Sequence, residues 1–466
     1  MAYSHYDRLT ALDGVFLELE SPGVHMHVGS VGIFEPGPLG TQHGGIDFER
    51  ILALVEAGLQ RAPRFRQKLA YTPATNRPVW VDDEHFNLLY HVRHTGLPPP
   101  GDERRLKRLA GRIMSQKLDR GKPLWELWCV EGLEAGRFAL LTKVHHCLVD
   151  GISGVELTAA FMGPDPDYRA ELPEHRWVPR PAPGGLRLFS DELRRRAAWP
   201  GKLTAGVLGA LSKRESREDA SRTAAGFFDS LRSSLKPASE TPLNVPIGPH
   251  RRFDWTRFDL DVVREVKQKH GGTVNDVVLA CVAGAVRDYL GEYGVALSEI
   301  DFRVFVPVST RKASERGKLG NRVSMIVARL PLDESDPRRR LERVIEETRK
   351  HKESGEAQGS RALEEFADWT APGLLASFSR MAASRRAYNL VVTNVPGPQV
   401  PIYMNGARLL ESYPLVPLFT NQALGIALLS YDGGLYWGFN ADWDAVPRLH
   451  EFKAAIEREF EQLRKL

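Results

Sequence analysis

The chain has 466 residues, 42% hydrophobic and 26% charged, with a formal net charge of +4 at neutral pH. That length exceeds what one hydrophobic core usually supports, so two domains are expected, and the composition is ordinary for a soluble globular protein. The small net charge gives no case for a nucleic-acid partner, although local basic runs could meet cofactor phosphates or an anionic lipid surface.

Cys129, Cys147 and Cys281 have no framework spacing, which suits a reducing compartment without structural disulfides. The first residues lack a basic stretch followed by an apolar core, so no signal peptide is read. The longest apolar runs, Leu203 to Leu211 and Leu415 to Leu429, are too short or are interrupted by Thr420 to Gln422. A cytoplasmic protein with at most a peripheral association with membrane is expected.

In chain order, Leu12 to Leu19 and Val28 to Phe34 read as strands, and Phe48 to Ala62 as an amphipathic helix on Ile51, Leu52, Val55 and Leu59. Glu103 to Leu118 is a strongly basic helix. Trp125 to Leu133 and Phe138 to His146 predict a hairpin across Glu134 to Gly136. From 173 to about 249 the character changes. A Pro/Gly-rich stretch precedes Arg187 to Leu235, where basic residues alternate with Leu188, Phe189, Leu193 and Trp199 among other apolar residues. Such helices either lie on a membrane or pack as an interdomain connector, and the connector reading is preferred. From Arg251 a second unit follows. Helices are predicted over Val262 to Lys269, Val274 to Leu290, Pro337 to Lys352 and Val446 to Leu466. Strands are predicted over Arg303 to Val308, Val323 to Leu330, Asn389 to Val395, Leu424 to Tyr431 and Leu435 to Asn440.

Between the apolar strand ending at Val144 and a capping-box spacing at Ser153 to Glu156 stands His145-His146-Cys147-Leu148-Val149-Asp150-Gly151. An H-H-x-x-x-D-G string arises by chance only about a few times per thousand such chains. The strand–loop–helix corner is a rigid place for a catalytic base, with Ile152, Val155, Ala159 and Met162 as the packing face of the helix. If the strand runs through both histidines they point to opposite faces, so one is the candidate base and the other orients or packs. Two histidines and one aspartate supply too few ligands for a metal site, and none is expected. A Cys147 thiolate activated by His146 would need two diverging neighbours to meet. A neutral imidazole taking a proton from a hydroxyl or amine fits best, against the structural alternative of a satisfied buried pair.

Leu9 to Leu17, Pro123 to Trp125, the central string, Thr273 to Asp276, Gly320 to Ser324 and Asn394 to Pro398 occur in the order of the bacterial wax ester synthase/diacylglycerol acyltransferase family. The chain resembles that family, within the HHxxxDG coenzyme-A-dependent acyltransferase superfamily. The resemblance implies a mixed α/β (α+β) fold of two chloramphenicol-acetyltransferase-like domains with an active-site tunnel at their interface. The expected domains are residues 1–175, a basic helical connector over 176–250, and residues 251–466. It also implies His146 as general base, Asp150 turned away to hold the loop through an arginine, and Gly151 giving freedom at the turn, with His145 in support.

Asn275 and Asp276 open a helix, where capping is their ordinary role; the resemblance, in which this pair is associated with activity, implies Asn275 as a candidate for positioning substrate. Thr393 and Asn394 could donate hydrogen bonds to the thioester oxygen or the pantetheine arm, although the Asn394 to Pro398 turn has a structural role whatever else it does. Arg311, Asn321 and Arg322 are candidates for the coenzyme A phosphates, against the ordinary reading of a solvated basic face. The expected activity is transfer of a long-chain acyl group from acyl-CoA, as co-substrate, to a fatty alcohol or diacylglycerol, with no acyl-enzyme and no bound cofactor. The partners expected are those substrates and, at most, a membrane or lipid-droplet surface. Two alternatives remain: a condensation-type enzyme making amides from carrier-bound thioesters, and a lipid-binding protein that has lost catalysis.

Overall fold

A computed structural model describes residues 5–42, 44–148, 160–167, 177–197, 237–309, 323–353 and 387–466. Among the described residues, two six-stranded mixed sheets and one small three-stranded sheet, with helices packed on them, make a mixed α/β fold. The first large sheet has the order Tyr403–Met404, Ala407–Leu415, His27–Phe34, Phe138–His145, Trp125–Glu131, Val92–Gly96. The second runs Val323–Arg329, Arg303–Ser309, Leu390–Pro396, Leu424–Tyr431, Gly434–Asp442, Arg251–Asp259.

All eight residues of Phe138–His145 are buried, so this strand has protein on both faces. Its side chains divide by the two-residue period of a strand. Phe138 and Leu140 join a core with Ile51, Val55, Phe65 and Trp125. Ala139 and Leu141 join another with Leu106, Ala110 and Ile113 of the helix Glu103–Met114, and with Phe253, Trp255 and Tyr413 from the second half of the chain. In the second unit the helix Val274–Glu292 is apolar over most of its circumference because it is covered by other helices as well as by its sheet.

The two halves share a sheet. Ala407–Leu415 leaves the C-terminal part of the chain and pairs antiparallel with His27–Phe34, which in turn pairs with Phe138–His145. The crossing requires close backbone approach: a Cβ on Gly438 would lie 1.8 Å from the carbonyl oxygen of Pro414. On the opposite side Gly111 brings the helix Glu103–Met114 onto Arg251–Asp259, since a Cβ there would sit 2.8 Å from the Arg251 carbonyl oxygen. Gly438 thus brings the second sheet against Ala407–Leu415, and Gly111 brings it against the helix that packs on Phe138–His145.

One element differs from its sequence expectation. Ala11–Leu19 is a helix, not a strand, capped by the Thr10 side chain accepting the Asp13 N–H. The apolar residues at 12, 15, 16 and 19 have helical spacing, and the cap decides the matter. Of the expected connector, residues 177–197 and 237–250 are described. Gly185–Ala197 is a helix seated on the hairpin Gln67–Tyr71/Pro78–Asp82 through Leu188, which packs with Val79 and Val81. Glu192 pairs with Arg8 at 2.6 Å, and Arg180 pairs with Asp82 at 2.8 Å. Leu186, Phe189 and Leu193 remain exposed on its outer face. Among the described residues no helix is long and apolar enough to cross a membrane.

Candidate active site

His145 closes its strand and His146 opens a single 3-10 turn, His146–Leu148. The two rings therefore part because the strand ends between them. The backbone is pinned on both sides: His145 N–H donates to the Leu124 carbonyl at 2.9 Å, and His146 N–H to the Met26 carbonyl at 2.7 Å. Leu124 belongs to the Pro123 to Trp125 motif, whose Trp125 is anchored by its indole N–H on the Phe65 carbonyl at 2.7 Å.

His146 stacks on Phe16, ring centroids 3.8 Å apart and planes 24° from parallel. Phe16 comes from the helix Ala11–Leu19, so the Leu9 to Leu17 motif places a ring under the turn that opens at His146. Burial pushes His146 down to about 4, so the ring is neutral at physiological pH. Its Nδ1 is buried without a hydrogen-bond partner among the described residues, yet the residue keeps part of its surface exposed. A neutral, partly open imidazole on a fixed backbone is a competent proton acceptor.

His145 is buried, and its Nδ1 accepts the Cys147 N–H at 3.1 Å. That bond assigns the ring proton to Nε2, which lies 3.7 Å from Glu20 Oε1. Burial, helped by Arg120 and His146, pushes His145 down to about 3. Glu20 follows directly on the Ala11–Leu19 helix and is held by Arg120, whose guanidinium donates to its other oxygen at 3.1 and 2.7 Å and to the Leu17 carbonyl at 2.6 Å. His27 stands opposite His145 in the strand pairing, with its Nε2 also 3.7 Å from Glu20 Oε1. Burial and the nearby Lys143 ammonium lower His27 well below its ordinary value. His27 Nε2 accepts the Leu118 N–H at 3.4 Å, so of the two imidazoles it is His145 that turns its ring proton toward Glu20. The sequence reading missed Phe16, Glu20, His27 and Arg120. A signal existed in His25-x-His27, whose spacing puts two histidines on one face of an extended segment, but not in the register that sets His27 against His145.

Burial raises the Cys147 thiol well above its ordinary value, so it is not a thiolate nucleophile. Asp150 and Gly151 lie outside the described residues, as do Ile152, Val155 and Ala159 of the expected packing face. Arg311, Asn321 and Arg322 lie outside them too.

In the second unit the structure joins two expected site residues: Asn394 Nδ2 donates to Asn275 Oδ1 at 2.7 Å. Thr393, beside Asn394 on Leu390–Pro396, is partly exposed. Capping is not the work of Asn275. Thr273 caps the helix, and Asp276 closes a capping box by accepting the Thr273 N–H at 2.7 Å while also accepting the Thr348 hydroxyl at 2.7 Å. Among the described residues no hydrogen bond, ion pair or ring contact joins this pair to His146.

The arrangement defines a class: a two-unit acyltransferase-like fold with a neutral histidine at the end of a buried strand. Family models agree. Residues 9–278 match the wax ester synthase/diacylglycerol acyltransferase catalytic domain, and residues 319–464 match the C-terminal domain of the same family. The chain belongs to the wax ester synthase/diacylglycerol acyltransferase family. It is 34% identical to a putative diacylglycerol O-acyltransferase of Mycobacterium tuberculosis, over 95% of this chain and 87% of that one. To the probable diacylglycerol O-acyltransferase tgs1 of the same organism it is 33% identical, over 97% and 94%. Its fold is similar to the wax ester synthase/diacylglycerol acyltransferase from Marinobacter aquaeolei, with TM-score 0.69 and 28% identity over 98% of each chain. The first condensation domain of the calcium-dependent antibiotic synthetase shares the fold alone, with TM-score 0.59 and 17% identity over 99% and 96%.

Proposed function

We propose that the protein transfers a long-chain acyl group from acyl-CoA to the hydroxyl of a fatty alcohol or a diacylglycerol, making wax ester or triacylglycerol. The observation that carries the reading is His146, neutral and fixed between the Met26 carbonyl and the Phe16 ring, in a chain of this family. The imidazole takes the hydroxyl proton as the oxygen attacks the thioester carbonyl. The carbon–sulfur bond then breaks, and the imidazolium returns its proton to the departing thiolate. An imidazolium held down to about 4 is a ready acid for that return. No acyl-enzyme is needed. Asn275, Thr393 and Asn394 offer polar groups to the thioester oxygen or the pantetheine arm. A tunnel between residues 1–175 and 251–466, joined by a connector over 176–250, brings the two substrates together and keeps water from the thioester.

The exposed Leu186, Phe189 and Leu193 beside Arg187 and Arg194 support a peripheral contact of the Gly185–Ala197 helix with a membrane or lipid-droplet surface, where such acceptors reside. The test of the activity incubates the protein with palmitoyl-CoA and hexadecanol, dipalmitoylglycerol or no acceptor, following thiol release and lipid product. Acceptor-dependent ester with little thiol release in the blank supports the reading. Neither ester nor thiol from folded protein would abandon it.

A further inference from the structure

Between the helix Glu103–Met114 and the segments around Arg252 and Trp443 lies a groove of about 1140 Å³. Six of its lining residues are Lys or Arg: Arg104, Lys107, Arg108, Arg112, Arg251 and Arg252. Its two acids, Glu103 and Asp254, are both paired with Lys107, which leaves the other cations uncompensated by the acids of the groove. Arg104, Arg108 and Arg112 are exposed and follow one another at four-residue intervals, a row of cations about 6 Å apart along the helix. Across the groove the Arg252 guanidinium lies 3.9 Å over the ring of Trp443, which is 43% exposed. His250 and His450 also line it.

We propose that this groove holds the phosphorylated nucleotide end of coenzyme A, the arginine row taking the phosphates and the Arg252–Trp443 stack offering a flat face to the purine. Separated phosphates match separated guanidiniums, and arginine binds phosphate by paired charge-assisted hydrogen bonds. A concave site with an aromatic wall fits a nucleotide better than it fits a bilayer surface, which would require apolar side chains to insert. The position also fits. Arg251, in the groove floor, donates from its guanidinium to the Gly23 carbonyl and from its backbone N–H to Ser115 Oγ at 2.8 Å. Three residues beyond Gly23 the Met26 carbonyl holds His146. Three residues span at most ~11 Å, a distance within reach of the pantetheine arm. The groove therefore backs onto the strand that carries the catalytic loop. Arg311, Asn321 and Arg322, the residues expected from sequence to meet these phosphates, lie outside the described residues.

The inference rests on the reading of the protein as an acyl-CoA enzyme, and its test separates the two. Coenzyme A and 3′-dephospho-coenzyme A are titrated calorimetrically into the full chain, with no acyl group or acceptor present. The same titrations are run on Arg108→Glu/Arg112→Glu, on the milder Arg108→Gln, and on Trp443→Ala, with melting temperatures as the fold control. The expected result is weaker binding without the 3′-phosphate, a loss of about tenfold or more in the double variant, and a smaller loss in the other two. In turnover, the preference for palmitoyl-CoA over palmitoyl-N-acetylcysteamine, which lacks the nucleotide, falls by a similar factor in the double variant. Arginine-dependent binding of coenzyme A without ester formation from any acceptor would leave the groove standing and remove the acyltransfer reading. Ester formation with coenzyme A affinity unchanged in folded variants, or no binding by the parent chain, overturns the groove. So does a loss confined to binding of phosphatidylglycerol vesicles, which would make the arginine row a lipid contact.

Discussion

Asn394 donates its side-chain amide to the side-chain oxygen of Asn275 at 2.7 Å, tying the end of the strand Leu390–Pro396 to the first turn of the helix Val274–Glu292. Asp276, the next residue, faces the interior and braces that helix start through Thr273 and Thr348. Two adjacent residues therefore do different work. Asn275→Ala and Asn394→Ala are expected to lower kcat/KM with little change in melting temperature. Asp276→Ala should cost about 1–3 kcal/mol of stability by removing a capping box and leaving the Thr348 hydroxyl unpaired. Thermal melts and steady-state kinetics on the three variants check this, and a stable, inactive Asp276→Ala would reverse the assignment.

Glu20 carries the buried side of the site. Its Oε2 accepts from Arg120 and its Oε1 faces the ring N–H of buried His145, so its removal takes the ion-pair partner from Arg120 and the carboxylate from beside His145. Glu20→Ala should destabilise the protein by about 2–4 kcal/mol, and Glu20→Gln by less, measured by denaturant unfolding. Equal melting temperatures for Glu20→Ala and the parent chain would remove Glu20 from the support of the histidines.

Phe16 acts on the other face. Phe16 stacks on His146 and packs against the N-terminal core, so Phe16→Leu, which keeps an apolar side chain there, should keep the fold and lower kcat by up to roughly tenfold as the imidazole loses its platform. An unchanged kcat would mean that the backbone bond to Met26 alone fixes the ring.

The buried histidines predict a pH dependence with a definite sign. Burial holds His25, His91 and His146 down to about 4 and His145 to about 3, all below their ordinary 6.5. Between about 4 and 6.5 the unfolded chain binds protons that the folded chain refuses. These groups therefore make stability rise with pH across that window, and it is lost as pH falls from 6.5 toward 4. Melting temperature measured from pH 7.5 to pH 4.5 should fall steadily below pH 6.5. For the same reason the acidic limb of kcat/KM should lie below 6.5, and a limb centred at 6.5 would mean a solvated His146.

The histidine strand was legible in sequence because its apolar run from Phe138 ends at a polar string too specific to be chance, and the second unit's Leu424–Tyr431 and Leu390–Pro396 were legible by the same apolar runs. The helix under His146 is ambiguous in sequence, since nine residues satisfy both periods loosely and only the Thr10 cap separates helix from strand. Ala407–Leu415 was not read at all: its partner is His27–Phe34, far away in sequence, and its register with that strand includes a bulge between Leu409 and Glu411. The Glu20, His27 and His145 grouping depends on that kind of pairing, which no local pattern encodes. The Asn275 and Asn394 candidates came from resemblance, and their mutual hydrogen bond is a product of tertiary packing.

The most direct measurement is ester formation from palmitoyl-CoA and hexadecanol by His146→Ala beside the parent chain, with circular dichroism and melting temperature recorded on both. The account predicts a native spectrum and a loss of about 10²- to 10⁴-fold in turnover, the range for removal of a general base. A folded His146→Ala protein that makes ester at the parent rate would contradict it.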